Sequence, residues 1–246
     1  MGGGFMAGRC LERPRVGFST EHLRAGLRRD AGGGTAMSDT RRVEQEIPWM
    51  RPASAWSLYR TAKPTAADRQ KQRIAQAFEE VLERQSFDKI TVIEIARKCG
   101  ISRQTFYNHF LDKYDLVNWM YRQLVVGTTG RIGIDMTWER AVRTKLEIMR
   151  SKDWFFSKVY RVGDREGLLE HEPRLVFNYY ESNLKRLTGK VLDEKERYAL
   201  MLYCHGAVRM TAEWIRTAPD TPVDVIVEAD MAALPPFARR TFLGNR

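Results

Sequence analysis

The chain has 246 residues, 43% of them hydrophobic, with a formal net charge of +10 and a pI near 9.7. That is enough apolar material for one or two domains with their own cores, and the basic excess favours a polyanionic partner, because neutralising phosphates releases counterions. Cys10, Cys99 and Cys204, with His22, His109, His171 and His205, match no zinc, disulfide or metal-pair spacing. No apolar run reaches membrane-span length and no signal peptide is evident, so the expectation is a cytoplasmic protein with no metal, no cofactor and no membrane partner.

Residues 1–36 are rich in Gly and Arg, as in Met1-Gly2-Gly3-Gly4 and Gly32-Gly33-Gly34, and have no periodicity. Such a composition does not offset its ordering entropy and is expected to be disordered. Met37 follows a Gly-rich stretch, which suggests a translation start there; the competing reading is a basic arm that touches DNA. Residues 38–64 are interrupted by Pro48, Pro52 and Pro64 but carry Trp49, Trp56 and Tyr59. Together, 1–64 is an irregular extension.

From Thr65 onward the pattern is helical, without strand alternation or internal repeats. The spacing predicts a first helix over 66–85, with Ile74, Phe78, Val81 and Leu82 on one face. Asp68, Arg69, Lys71, Gln72 and Arg73 cover its polar side.

Three helix starts follow in quick succession. Thr91 with Glu94 forms a capping box, and Ile90 and Ile95 are placed as a hydrophobic staple around it. Ser102 caps the next start, between Ile101 and Phe106, and Asp112 the third, between Leu111 and Leu116. Gly100 suits the left-handed position that ends the middle link, and the small Ala96 allows close crossing. Two short helices joined by a Gly-containing turn are the signature of a helix-turn-helix. The second, Arg103 to Phe110, buries Phe106 and Phe110. It presents Arg103, Gln104, Thr105, Tyr107, Asn108 and His109, good contact groups for base edges and phosphates, several of them poor helix formers.

The run Thr91-Val92-X-X-Ile95-Ala96-X-X-X-Gly100-Ile101-Ser102-X-X-Thr105-Phe106-Tyr107-X-His109-Phe110-X-X-Lys113-X-X-Leu116 closely resembles the N-terminal domain of TetR-family regulators. Phe87 to Val92 and Phe110 to Leu116 resemble the branch that includes dihydroxyacetone-kinase regulators. The resemblance implies that Thr91, Tyr107, His109 and Lys113 hold or approach the phosphate backbone, and that Arg103, Gln104, Thr105 and Asn108 face bases. By their chemistry, Arg103 favours guanine, and Gln104 or Asn108 adenine. Ile93 departs from the pattern, standing where many members carry a polar contact.

The spacing continues a helix over 113–126 and predicts further helices over 137–150, 152–161, 172–188, 193–217 and 222–232. Leu200, Cys204, Val208 and Ala212 form an apolar stripe. By the resemblance, the last two helices form the dimer interface. Tyr160, Tyr179, Tyr203 and His205 are candidate ligand contacts, although aromatics at helical spacing more often build a core. The expected fold is therefore all-α, TetR-like: a three-helix DNA-binding domain over 65–125, then a helical effector-binding and dimerisation domain over 126–246. The expected function is a homodimeric repressor that binds double-stranded DNA at an inverted repeat and is released by a small-molecule effector. The alternative is a regulator or activator controlled by a protein coactivator. No nucleophile–base pair, carboxylate pair or phosphate loop supports an enzyme.

Overall fold

The computed structural model describes residues 65–160 and 167–244. The expectations for residues 1–64, including the start at Met37 and the basic arm, lie outside the described residues. The fold is all-α: ten α-helices and two 3-10 turns among the described residues, with no strand among them.

Helix α1 (Ala66–Arg84) starts at a capping box in which the Thr65 hydroxyl accepts from the Asp68 N–H at 3.1 Å and the Asp68 carboxylate accepts from the Thr65 N–H at 3.1 Å. Ile74, Phe78 and Leu82 are buried as the periodicity requires. Gln72, expected on the polar side, is instead buried, and its amide has no hydrogen-bond partner among the described residues. It shares a second helical stripe with the buried Ala75. One-face periodicity does not reveal a helix packed on two sides.

A 3-10 turn (Phe87–Lys89), α2 (Val92–Cys99), α3 (Arg103–Tyr107) and α4 (Lys113–Gly127) follow. After a second 3-10 turn (Thr129–Arg131) come α5 (Trp138–Ser151), α6 (Asp153–Val159), α7 (Leu168–Thr188), α8 (Glu194–Thr217), α9 (Val223–Ala233) and α10 (Pro236–Leu243). A capping box of Asp193 and Glu196 starts α8. Helix α7 begins at Leu168, earlier than its expected start at 172. It accommodates Pro173 in its second turn, where the missing N–H removes a single helical hydrogen bond. Helix α10 is not predicted by the spacing; Pro236 opens it, and its Phe242 packs against Tyr180 with ring centroids 5.6 Å apart.

α7 packs along α8 and α4, α5 against α9, and α1 against α2 and α6. Two lysines tie α1 to the α6 region, one of them closing the end of α1. The Lys158 ammonium donates to the carbonyls of Leu82 at 2.6 Å and Glu83 at 3.1 Å at the end of α1, while Lys152 pairs with Glu79 at 2.6 Å. The turn after α4 is tied to α7: Asn183 donates to the Thr129 carbonyl at 2.8 Å and Arg186 to the Ile132 carbonyl at 2.5 Å. A Cβ on Gly130 would stand 3.2 Å from the Tyr179 ring, so a side chain there would press on that ring.

Candidate nucleic-acid interface

The local chemistry of 91–116 produces the three sharp starts. At α2 the Thr91 hydroxyl accepts from the Glu94 N–H at 3.3 Å, and Glu94 accepts from the Thr91 N–H at 2.8 Å. These bonds hold the Glu94 carboxyl below its usual range. Gly100 ends α2 at φ 70° and ψ 33°, and the Ile101 N–H returns to the Ala96 carbonyl at 2.9 Å, a left-handed C-cap closure. The Ser102 hydroxyl then accepts from the Thr105 N–H at 3.0 Å to start α3. Asp112 Oδ1 accepts from the N–H groups of Tyr114 and Asp115, both at 2.8 Å, to start α4.

Two details differ from the sequence expectation. α3 ends at Tyr107, not Phe110; beyond it the N–H groups of His109 and Phe110 both bond to the Phe106 carbonyl, at 2.9 and 3.0 Å. Asn108 and His109 are poor helix formers, and the Asp112 cap already turns the chain. The third staple is also absent: Leu111 is 81% exposed while Leu116 is fully buried. The Leu111 N–H instead donates to Asp115 Oδ2 at 3.0 Å.

Phe106 and Phe110 lie in the core, their rings 5.8 Å apart, and thereby fix which face of α3 looks outward. Arg103, Gln104, Tyr107 and Asn108 are exposed there; Thr105 and His109 are half-buried. Gln104 Nε2 donates to Asn108 Oδ1 at 3.2 Å, and the Thr105 hydroxyl lies 2.9 Å from that of Ser102. Tyr107 meets the buried Phe106 edge-on at 5.7 Å, leaving its outer edge in solvent. Burial and the nearby Lys71 push the His109 imidazole below its usual pKa, so it is neutral at pH 7.

Thr91 and Lys113 are in the same neighbourhood but are committed elsewhere. The Thr91 hydroxyl serves the cap and also donates to Glu94 at 2.9 Å. The Lys113 ammonium donates to the carbonyls of Phe87, Asp88 and Ile90 at 2.9, 3.1 and 3.1 Å and sits 4.7 Å above the Phe87 ring. Ile93 is 46% exposed and apolar.

Sequence reasoning missed Lys71, which tertiary packing places 5.2 Å above the Phe110 ring and beside His109. It also missed a second, exposed stripe on α8: Tyr198, Leu202 and Met210, with the exposed Gly206 among them. The stripe it did find, Leu200, Cys204, Val208 and Ala212, faces the interior.

The four candidate ligand residues are dispersed. Tyr160 is buried, its hydroxyl donating to Glu172 at 2.8 Å, and its ring stacks on Phe156. Tyr179 packs on Gly130. Tyr203 is buried against Tyr180. His205 is exposed beside a cavity of about 250 Å3. None of the four lines the cleft of about 420 Å3 between α4 and α7.

An all-helical chain whose short outward helix is held by a left-handed glycine turn and carries contact groups on its free face has the form of a helix-turn-helix DNA-binding regulator. The family model for bacterial regulatory proteins of the tetR family matches residues 74–120. The uncharacterized HTH-type transcriptional regulator TtgW of Pseudomonas putida is 32% identical over 119 residues, which is 45% of this chain and 89% of that protein. The chain belongs to the TetR family of transcriptional regulators.

Two further relatives match over part of their length. HTH-type transcriptional regulator SrpR, also of Pseudomonas putida, is 32% identical over 119 residues, covering 45% of this chain and 56% of that one. The dhaKLM operon transcriptional activator DhaS of Lactococcus lactis subsp. lactis is 25% identical over 91 residues, covering 35% and 46%. The chain thus spans about half the length of these two. A solved structure of a dihydroxyacetone kinase operon activator DhaS aligns at a TM-score of 0.48 with 17% identity, over 66% of this chain and 94% of that one.

Proposed function

We propose that this protein is a cytoplasmic, homodimeric repressor that places α3 in the major groove of an inverted-repeat operator. The observation that carries this reading is the exposed face of α3, where Arg103, Gln104, Tyr107 and Asn108 stand on a turn locked by Gly100 and Ser102. In this reading residues 65–125 are the DNA-binding domain and 126–246 the effector-binding and dimerisation domain. Arg103, Gln104, Thr105 and Asn108 face base edges. Tyr107, His109 and the α2 start at Thr91 approach phosphates. Lys113 acts by bracing the turn before α2.

One recognition helix reads too few bases alone, and a two-fold dimer matches a palindromic site. The exposed apolar stripe of Tyr198, Leu202 and Met210 supports a partner copy on α8, with Gly206 allowing close approach. A second reading, an activator governed by a protein partner, is favoured by two observations. The relative DhaS is named as an operon activator, and the four aromatic candidates do not surround one cavity.

The test is an electrophoretic shift on the promoter region upstream of the protein's own gene, at two salt concentrations. A salt-sensitive, sequence-preferring shift that is lost in Arg103→Ala and Tyr107→Ala supports the reading. Equal binding of random DNA, or full binding by both variants, overturns it.

A further inference from the structure

An open cleft of about 420 Å3 lies between α4, from its cap to Arg122, and the first half of α7, within the size range of small-molecule sites. Its walls carry both signs of charge, but the two signs are not equally available. Asp112 takes two backbone N–H groups at 2.8 Å on one oxygen, and Asp115 takes the Leu111 N–H at 3.0 Å. Both stand at the start of α4, where the helix dipole offsets negative charge. Glu172, only 1% exposed, lies on the floor of the cleft. It accepts from the Tyr160 hydroxyl at 2.8 and 3.0 Å and is also bonded by Tyr121. Burial raises its pKa to about 8, so it is mainly neutral at pH 7.

The cations are the reverse case. Arg122 on α4 and Arg174 on α7 line the cleft, both are exposed, and neither has a carboxylate partner among the described residues. His171 and Asn178 add polar groups on the α7 side. Two unpaired guanidiniums above a neutral, hydrogen-bonding floor match carboxylate or phosphate oxygens, which guanidinium groups bind in a bidentate fork.

We propose that this cleft binds a small organic anion, a carboxylate or phosphate monoester carrying hydroxyl groups, and is the effector site of the regulator. The effector role rests on the reading of the chain as a DNA-binding regulator. The position gives the site its leverage. Asp112 caps α4 and lies two residues after Phe110, which anchors the turn that follows α3, so a ligand held between α4 and α7 fixes the start of α4 relative to α7. An anion that binds one arrangement more tightly shifts DNA affinity by that difference.

The test is calorimetry on the full chain with inorganic phosphate, glycerol phosphate and citrate, with glycerol as the neutral control. At least one anion should bind once per chain, and the ranking of phosphate, phosphomonoester and carboxylate identifies the class. Arg122→Ala and Arg174→Ala should each weaken it by about tenfold or more with unchanged melting temperatures. In parallel, operator affinity in the wild type should change by roughly fivefold or more at saturating anion and stay constant in the double variant. No heat with any of the three anions, or binding that survives both substitutions, overturns the site. Anion binding that leaves a measurable operator complex unchanged overturns the effector role. Anion binding by a chain that holds no DNA at all instead overturns the regulator reading on which that role rests.

Discussion

The ammonium of Lys113 lies 2.9 Å from the carbonyl oxygen of Phe87, and the same nitrogen also holds the carbonyls of Asp88 and Ile90. A cation at the start of α4 therefore closes the 3-10 turn that precedes α2, some two dozen residues earlier in the chain. Replacing it with Met leaves three carbonyls without their donor; they stand at or near the surface, so water replaces much of the bonding and the net loss is that of a single charge-assisted bond, about 1.5–3 kcal/mol. Lys113→Met should lower stability by about 2 kcal/mol in urea unfolding while leaving the salt dependence of DNA binding unchanged. A salt slope reduced by about one per protomer would instead assign Lys113 to a phosphate.

Gln104 and Asn108 bond to one another one helical turn apart, so each amide has a partner before DNA arrives. Base readout must replace that bond. Gln104→Ala should cost about 1–3 kcal/mol on the preferred site and relax preference at a single base pair, which a panel of single-substitution operators would reveal. A uniform loss across the panel would show that Gln104 does not read a base.

His109 is neutral at pH 7 because burial, first, and Lys71, second, depress its pKa. A phosphate oxygen brought close opposes both effects, so DNA binding should take up a proton. Operator affinity should rise as pH is lowered from about 7.5 to 6, around the ordinary histidine pKa, and His109→Gln should flatten that rise. An unchanged pH profile in the variant would place the imidazole away from the backbone.

Glu172 is moved from its ordinary 4.5 to about 8, mainly by burial, against the opposing effects of Tyr160, Lys145 and Tyr121. Its folded pKa exceeds the unfolded value, so the folded chain keeps a proton that the unfolded chain has released. Its contribution is complete at low pH, declines as pH rises from 4.5 to about 8, and is level above that. Glu172→Gln keeps a neutral hydrogen-bonding group and removes the decline. Thermal melts from pH 5 to 9 should show the variant gaining on the wild type by up to about 4 kcal/mol. Parallel curves would mean that the carboxyl is ionised throughout.

The exposed stripe of α8 predicts a dimer. Leu202 is 65% exposed and Met210 53%, so a charge there meets only water in the isolated chain. Leu202→Arg should keep the helical circular dichroism spectrum, convert the sedimenting species to monomer and abolish the two-fold DNA complex. A variant that still sediments as a dimer would move the interface elsewhere.

Much of this was set by residues acting on their neighbours in the chain. The caps at Thr91, Ser102 and Asp112, the left-handed Gly100 and the inward pair Phe106 and Phe110 involve groups within a few positions of each other, and a sequence displays such relations directly. The all-helical class and the identity of the outward face of α3 follow from them. What the sequence alone did not determine depends on partners far apart in the chain. Gln72 is buried although it lies off the predicted apolar face of α1. Lys113 is committed to the 3-10 turn, and Leu111 is left in solvent. Periodicity revealed one apolar stripe on α8, and only the packing of α7 against it left a second one uncovered. The cleft between α4 and α7 exists because Asp112, Arg122, Glu172 and Arg174 are brought together across a long stretch of chain, and burial, a property of the folded whole, gives Glu172 its proton.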